Sequence, residues 1–254
     1  MSTTLWSKQP AKFKYIIKLS LIFCIFKTDL NPSFFIFYME INSFYYYLGY
    51  ITTCFSLPPL IIGLLCIKTV KGYLFPLFVY VSVSFVTEFI NLGLTESGIN
   101  NMFVFRFFTI IEFMLISLFY YLFFRKYLRP VYLLLPFPIF LAVVFIDYSI
   151  NGLNSMDNFS ASIESILLSL YALVSFLFVM RRLLFENILS EPFFWINSGV
   201  LFYFSGNLLV FAFSNYVFEY EPSIGNALWA IPQFLNIFFN ILICIGFWKA
   251  KRAR

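Results

Sequence analysis

Histidine is absent from all 254 residues. With it go Ser/His/Asp and Cys/His catalytic triads, imidazole metal sites and histidine-ligated haem. Charge is scarce: 11% of residues are Asp, Glu, Lys or Arg, against 61% hydrophobic and 23% aromatic, a balance that excludes an ordinary soluble domain. The four cysteines, Cys24, Cys54, Cys66 and Cys244, form no CxxC pair. Most lie within or beside apolar runs, where a thiol behaves as a small hydrophobe, so no disulfide, metal site or cofactor is expected of them. The formal charge of +5 does not point to nucleic acid. Its basic residues sit at the ends of apolar runs, where membrane orientation requires them, and no basic stripe with stacking aromatics exists.

What the chain has instead is long apolar runs separated by short polar gaps. The expected fold is all-α, a polytopic membrane bundle of seven transmembrane helices, each of roughly 20 residues. The runs are Ser43–Ile67, Tyr73–Leu94, Phe103–Phe124, Val131–Ile146, Phe159–Met180, Phe193–Val217 and Ala227–Trp248. Pro58-Pro59 predicts a kink in the first, and Pro136 with Pro138 interrupts the fourth, which is also the shortest. Residues 1–38 read as an N-terminal extension, either signal-like or an over-extended start, because Met39-Glu40 leads directly into the first span. Residues 39–254 form the membrane domain.

Lys68, Lys71, Arg125, Lys126, Arg129, Arg181, Arg182, Lys249, Lys251, Arg252 and Arg254 all fall on one side of a seven-span arrangement. The opposite connections hold Glu96, Asp147, Asp157, Glu219 and Glu221 and no basic residue. The positive-inside rule places the N-terminus outside and the C-terminus in the cytoplasm. The Phe- and Ile-rich wording indicates an AT-rich bacterial genome, hence a multi-pass protein of the bacterial inner membrane with the lipid bilayer as its first partner.

The polar residues inside the spans are the candidates for function, because an ionisable group in a membrane helix is costly and needs a partner. At 1.5 Å per residue, Glu88, Arg106, Glu164 and Gln233 come out about 6–9 Å from the outer ends of their spans, and Glu112, Asn207 and Asn236 about 14–15 Å deep. Ser84, Glu88 and Asn91 share one face of the second span, and Gln233, Asn236 and Asn240 one face of the last. These layers predict an outward-facing polar cavity in which Arg106 pairs with Glu88 or Glu164. Glu112 carries the most information, since three glutamates facing one arginine leave an excess of negative charge. A proton, a bound cation or a cationic solute would compensate it. Ser198-Gly199 and Ser205-Gly206 recur seven residues apart, the spacing of a close helix-packing seam, and Asn197 is expected near headgroups at the inner end.

Ile231-Pro232-Gln233 resembles the Pro-Gln signature of PQ-loop and sugar-efflux transporters, but those repeat it in two three-helix units and here it occurs once, so Pro232 is read as a kink. The seven-span topology is similar to that of rhodopsins and G-protein-coupled receptors, without a lysine in the last span, a DRY or an NPxxY pattern. No catalytic residue is assigned. The expected function is binding of a small solute, cation or proton at Glu88, Asn91, Arg106, Glu112, Glu164, Asn207, Gln233 and Asn236, as a sensor or small carrier, a sensor needing a separate signalling or membrane protein partner. Two alternatives stand beside it: a membrane-embedded lipid hydrolase using paired glutamates, and an accessory subunit whose polar groups only specify packing.

Overall fold

A computed structural model describes residues 44, 47–152, 158–182, 187–220 and 222–252. The N-terminal extension, Cys24, Asp157, Glu221 and Arg254 lie outside the described residues, as do the side chains of Glu219 and of residues 222–227. Among the described residues the structure is helical throughout, with no strand. The helices are α1 Tyr47–Leu65, α2 Leu74–Glu96, α3 Met102–Phe124, α4 Pro130–Leu134, α5 Pro136–Asn151, α6 Asn158–Arg182, α7 Pro192–Tyr220 and α8 Pro222–Arg252. Six of them, all but α4 and α5, are long and apolar enough to cross a membrane. The chain is a multi-pass membrane protein. Phe75, Phe89, Phe145, Leu170, Phe202 and Phe238 are exposed on the outer faces of the bundle, the reverse of a soluble protein and the surface a lipid tail requires.

Local chemistry accounts for the breaks. α1 is interrupted at Ser56, where Pro58 and Pro59 follow and cannot donate to the preceding turn. The Ser56 hydroxyl donates to the Thr53 carbonyl at 2.7 Å and its amide is shared between Thr52 and Thr53. Gly72, at φ +63°, turns the chain into α2 in a backbone region that side chains avoid. Between α4 and α5 the backbone stays helical at Leu135 (φ −56°, ψ −40°), so residues 130–151 form one proline-interrupted stretch of about 33 Å.

α3 is the central helix. Ten of its residues are buried, from Arg106 through Glu112 and Phe113 to Phe124, a share above that of any other spanning helix. One end of the bundle is fixed by aromatic contacts. The rings of Phe123 and Phe193 stack at 3.8 Å, Tyr73 meets Phe123 edge-on at 5.1 Å, and Phe124 meets Phe178 at 5.3 Å. These contacts gather the start of α2, the ends of α3 and α6 and the start of α7. Gly246, late in α8, joins them, since a Cβ there would stand 2.6 Å from Ile196. Lys68, Lys71, Arg125, Lys126, Arg129, Arg181, Arg182, Lys249, Lys251 and Arg252 lie at this same end of the sequence elements. α4 leaves from this end, and α5 finishes beside the start of α3, where Asp147 meets Arg106.

α7 and α8 pack along the expected seam. A Cβ at Gly199 would lie 2.7 Å from the Phe239 ring, and one at Gly206 would collide with Leu235, so both glycines are there for close helix approach. Pro232 sits inside α8, which continues through it.

Candidate functional site

Three polar assemblies cross the interior, and they differ in how completely their hydrogen bonds are met. The first is an ion pair. Arg106 of α3, fully buried, donates from Nη1 to Asp147 Oδ2 at 3.3 Å, and its guanidinium lies 4.9 Å from the centre of the Tyr148 ring. The same Asp147 oxygen accepts from Ser160 Oγ at 2.8 Å, and its Oδ1 accepts from Asn151 Nδ2 at 2.6 Å. α3, α5 and α6 are thus tied together around one carboxylate.

This corrects two expectations. Arg106 pairs with Asp147, whereas Glu88 is hydrogen-bonded to neutral groups; and Asp147, expected in an outer connection, is buried within α5. The physical reason is helix length. α5 continues five residues past Ile146 to Asn151, which puts Asp147 four residues from its end, and Arg106 lies four residues from the start of α3. Both are about 6 Å from the same end of the bundle, and a buried guanidinium takes the carboxylate at its own level. The Asp147/Asn151 spacing of four was the signal available in the sequence. A fully buried Arg106 does not set the charge of an open entrance.

The second assembly is a pin through the middle of the other half. Tyr120 of α3 donates its hydroxyl proton to Asn197 Oδ1 at 2.7 Å, and Asn197 Nδ2 donates to the Ala172 carbonyl of α6 at 3.0 Å. Asn197 is fully buried, not at headgroups, because it faces α3 and α6 rather than lipid. Sequence reasoning missed Tyr120, which looked like one aromatic among many.

The third assembly contains most of the predicted site. Glu112 of α3, buried, accepts from the Tyr80 hydroxyl of α2 at 2.9 Å. Glu88, half-buried two turns along α2, accepts from Asn236 Nδ2 of α8 at 3.3 Å and, at the outer limit of a hydrogen bond, from Thr53 Oγ1 of α1 at 3.5 Å. Asn236 Oδ1 in turn accepts from Asn240 at 2.7 Å.

Hydrogen bonds thus join Glu112 to Tyr80 across α2 and α3, and Glu88 to Asn236 and Thr53 across α2, α8 and α1, adding Tyr80 and Thr53 to the predicted residues. The layers differ from those counted on the sequence: Glu88 bonds to Asn236, which the count from the span ends puts a layer deeper. Asn91 and Gln233 stand one turn from Glu88 and Asn236 on the same two helices, with Asn91 Oδ1 and Gln233 Oε1 buried and without hydrogen-bond donors. Asn207, 1% exposed, likewise has no donor to its Oδ1.

The polar groups contact one another directly. Apart from these groups, an apolar cleft lies between α6 and α7, lined by Phe176, Val179, Met180, Ile188, Phe193 and Phe194. Among the described residues no three His, Cys, Asp or Glu side chains are grouped to hold a metal ion. Comparison with known protein families, curated proteins and solved structures finds no match to the chain.

Proposed function

We propose that the chain is a seven-span protein of the bacterial inner membrane that binds a small cation, the proton included, or a cationic solute at the Glu88–Glu112 centre, as a sensor or small carrier. The single observation that carries this is the charge of the centre. Among the described residues the hydrogen-bond partners of Glu88 and Glu112 are Thr53, Tyr80 and Asn236, all neutral, whereas the buried carboxylate of Asp147 has a guanidinium. An uncompensated pair of carboxylates in a low-dielectric interior attracts positive charge.

Two features support the topology. The α4–α5 stretch, about 33 Å along its axis, matches a ~30 Å hydrocarbon core and makes the seventh crossing beside the six long helices. The ten basic residues gathered at one end then face the cytoplasm under the positive-inside rule, with the C-terminus among them. α2, α3, α7 and α8 offer the centre to the opposite, outer side.

The test is thermal unfolding of the detergent-purified chain against a pH series, sodium, potassium, primary and quaternary ammonium ions, and carboxylates as the opposite-charge control. A cation that binds only the folded protein stabilises it by about 2.7 kcal/mol at a hundredfold excess over its dissociation constant. Stabilisation by a member of the cation set, lost on Glu112→Gln, is the expected result. Stabilisation by carboxylates alone, or identical unfolding of both proteins throughout, would overturn the reading.

A further inference from the structure

We propose that the apolar cleft between α6 and α7 is a binding site for one anionic phospholipid, with an acyl chain in the cleft and the phosphate at Arg181 and Arg182. The site is separate from Glu88 and Glu112 and rests on other residues. Every side chain that lines the cleft is apolar: Phe176, Val179 and Met180 of α6, Ile188 of the turn before α7, and Phe193 and Phe194 of α7. Its floor is fixed, because Val179 and Phe193 are buried and the Phe193 ring stacks on that of Phe123 at 3.8 Å. The Phe176 and Phe194 rings meet edge-on at 5.8 Å and join the two helices beside it. Its rim is open, with Met180 60% exposed.

A polar solute meets no donor or acceptor on these side chains, and a cleft lined in this way stays dry. On the flank of a membrane bundle the molecule that reaches such a groove is a lipid, and a thioether beside phenylalanine rings adapts to a flexible tail. Charge selects the class of lipid. Arg181 and Arg182 close α6 and are exposed. Arg182 stands one turn beyond Val179 on the same side of the helix, about 4.5 Å further along its axis. Its guanidinium lies 5.7 Å from the centre of the Phe178 ring, so the stem follows apolar surface while the head reaches the interface. A guanidinium can take two phosphate oxygens at once. Ten basic residues gather at this end of the bundle, where Glu191 is the acid among the described residues.

Depth agrees with the headgroup boundary. The cleft takes in the last two turns of α6 and the first of α7. Trp195, also in the first turn of α7, donates its indole N–H to the Leu189 carbonyl at 2.9 Å, which holds the Ile188–Ser190 turn against that helix. The Asn187 side chain accepts from the Leu189 amide at 3.2 Å and closes the same turn. Tryptophan is enriched at this level of a bilayer, where its ring is apolar and its N–H polar. From Phe176 to Arg182 is about 9 Å along α6. A tail lying beside Phe176 therefore brings its headgroup to the end of the helix, where the two arginines stand.

Native mass spectrometry of the full detergent-purified chain, delipidated and then given equal amounts of phosphatidylglycerol and phosphatidylcholine with the same acyl chains, tests this. The wild type is expected to retain one phosphatidylglycerol, favoured at least fivefold over phosphatidylcholine, about the effect of one basic residue near an anionic surface. Arg181→Gln with Arg182→Gln should remove the preference. Arg125→Gln with Lys126→Gln, at the same end of the bundle but on α3, should keep it. Val179→Phe fills the floor of the cleft and should lower retention of phosphatidylglycerol at least fivefold; Met180→Trp, at the exposed rim, replaces it if that variant does not fold. Equal retention of the two lipids by the wild type, which needs no variant to establish, overturns the proposal. So does loss of the preference in the Arg125/Lys126 variant to the same degree, which would make the attraction a property of the whole basic end, or full retention after the cleft is filled. Displacement of the lipid by free glycerol phosphate would assign the arginines to a soluble phosphate instead. A dimer that persists without lipid and excludes it would assign the cleft to a second copy of the chain, and either result overturns the lipid site.

Discussion

Asn197 and Asn207 lie ten residues apart on α7, about 15 Å along its axis, and both are buried to within 1%. Their surroundings differ. Asn197 spends both ends of its amide, accepting from Tyr120 and donating to the Ala172 carbonyl, and its half of the bundle is otherwise filled by stacked aromatics. Asn207 leaves its oxygen without a donor in a half that also contains two glutamates with neutral partners. A membrane interior penalises unmet polar groups, so a saturated asparagine is sufficient as helix glue. An unsaturated one, in the half that contains Glu88 and Glu112, accords with the cation binding proposed there. Arg106–Asp147 sharpens the contrast, because it is buried in the same half as Glu112 and yet is fully paired.

Substitutions can break each side of this comparison. The largest effect is expected at the ion pair. Arg106→Met strands a buried carboxylate, and a loss of about 3–5 kcal/mol is expected, measured as the drop in unfolding free energy on titration with denaturing detergent. Next is Gly199→Ala in the α7–α8 seam. Its Cβ would meet the Phe239 ring at 2.7 Å, and overpacking of this kind costs about 1–3 kcal/mol, read in the same titration. Asn197→Leu removes two interhelical hydrogen bonds at about 0.6–1.7 kcal/mol in a membrane, and its effect on unfolding should not depend on cations. Glu112→Gln is expected to change baseline stability least, by under about 0.5 kcal/mol, because glutamine can still accept from Tyr80. It should nonetheless remove the response to cations that the wild type and Asn197→Leu retain.

Much of the fold was legible in the sequence. Apolar runs of membrane length are hard to mistake, and the six long helices coincide with six of the expected spans to within a few residues. Helical phase placed Glu88 with Asn91 and Gln233 with Asn236 on shared faces, and Glu88 and Asn236 are joined by a hydrogen bond between those two helices. Hydropathy could not locate the helix ends. Asp147 and Asn151 look like the start of a loop because they are polar, yet the backbone hydrogen bonds of α5 continue through them, and that error alone hid the partner of Arg106. Tyr80 and Tyr120 were hidden for a different reason. In a chain with 17 tyrosines, the choice of which hydroxyl meets a buried acceptor is made by packing between helices, which leaves no local mark.

The most direct measurement is the melting temperature of the wild type, Asn197→Leu and Glu112→Gln followed side by side across pH in one detergent. The wild type and Asn197→Leu are expected to trace parallel curves, offset by a constant loss of packing, while Glu112→Gln departs from both because the titrating centre has been neutralised. Three parallel curves would contradict the distinction between the two halves of α7 and would make Glu112 a packing residue like Asn197.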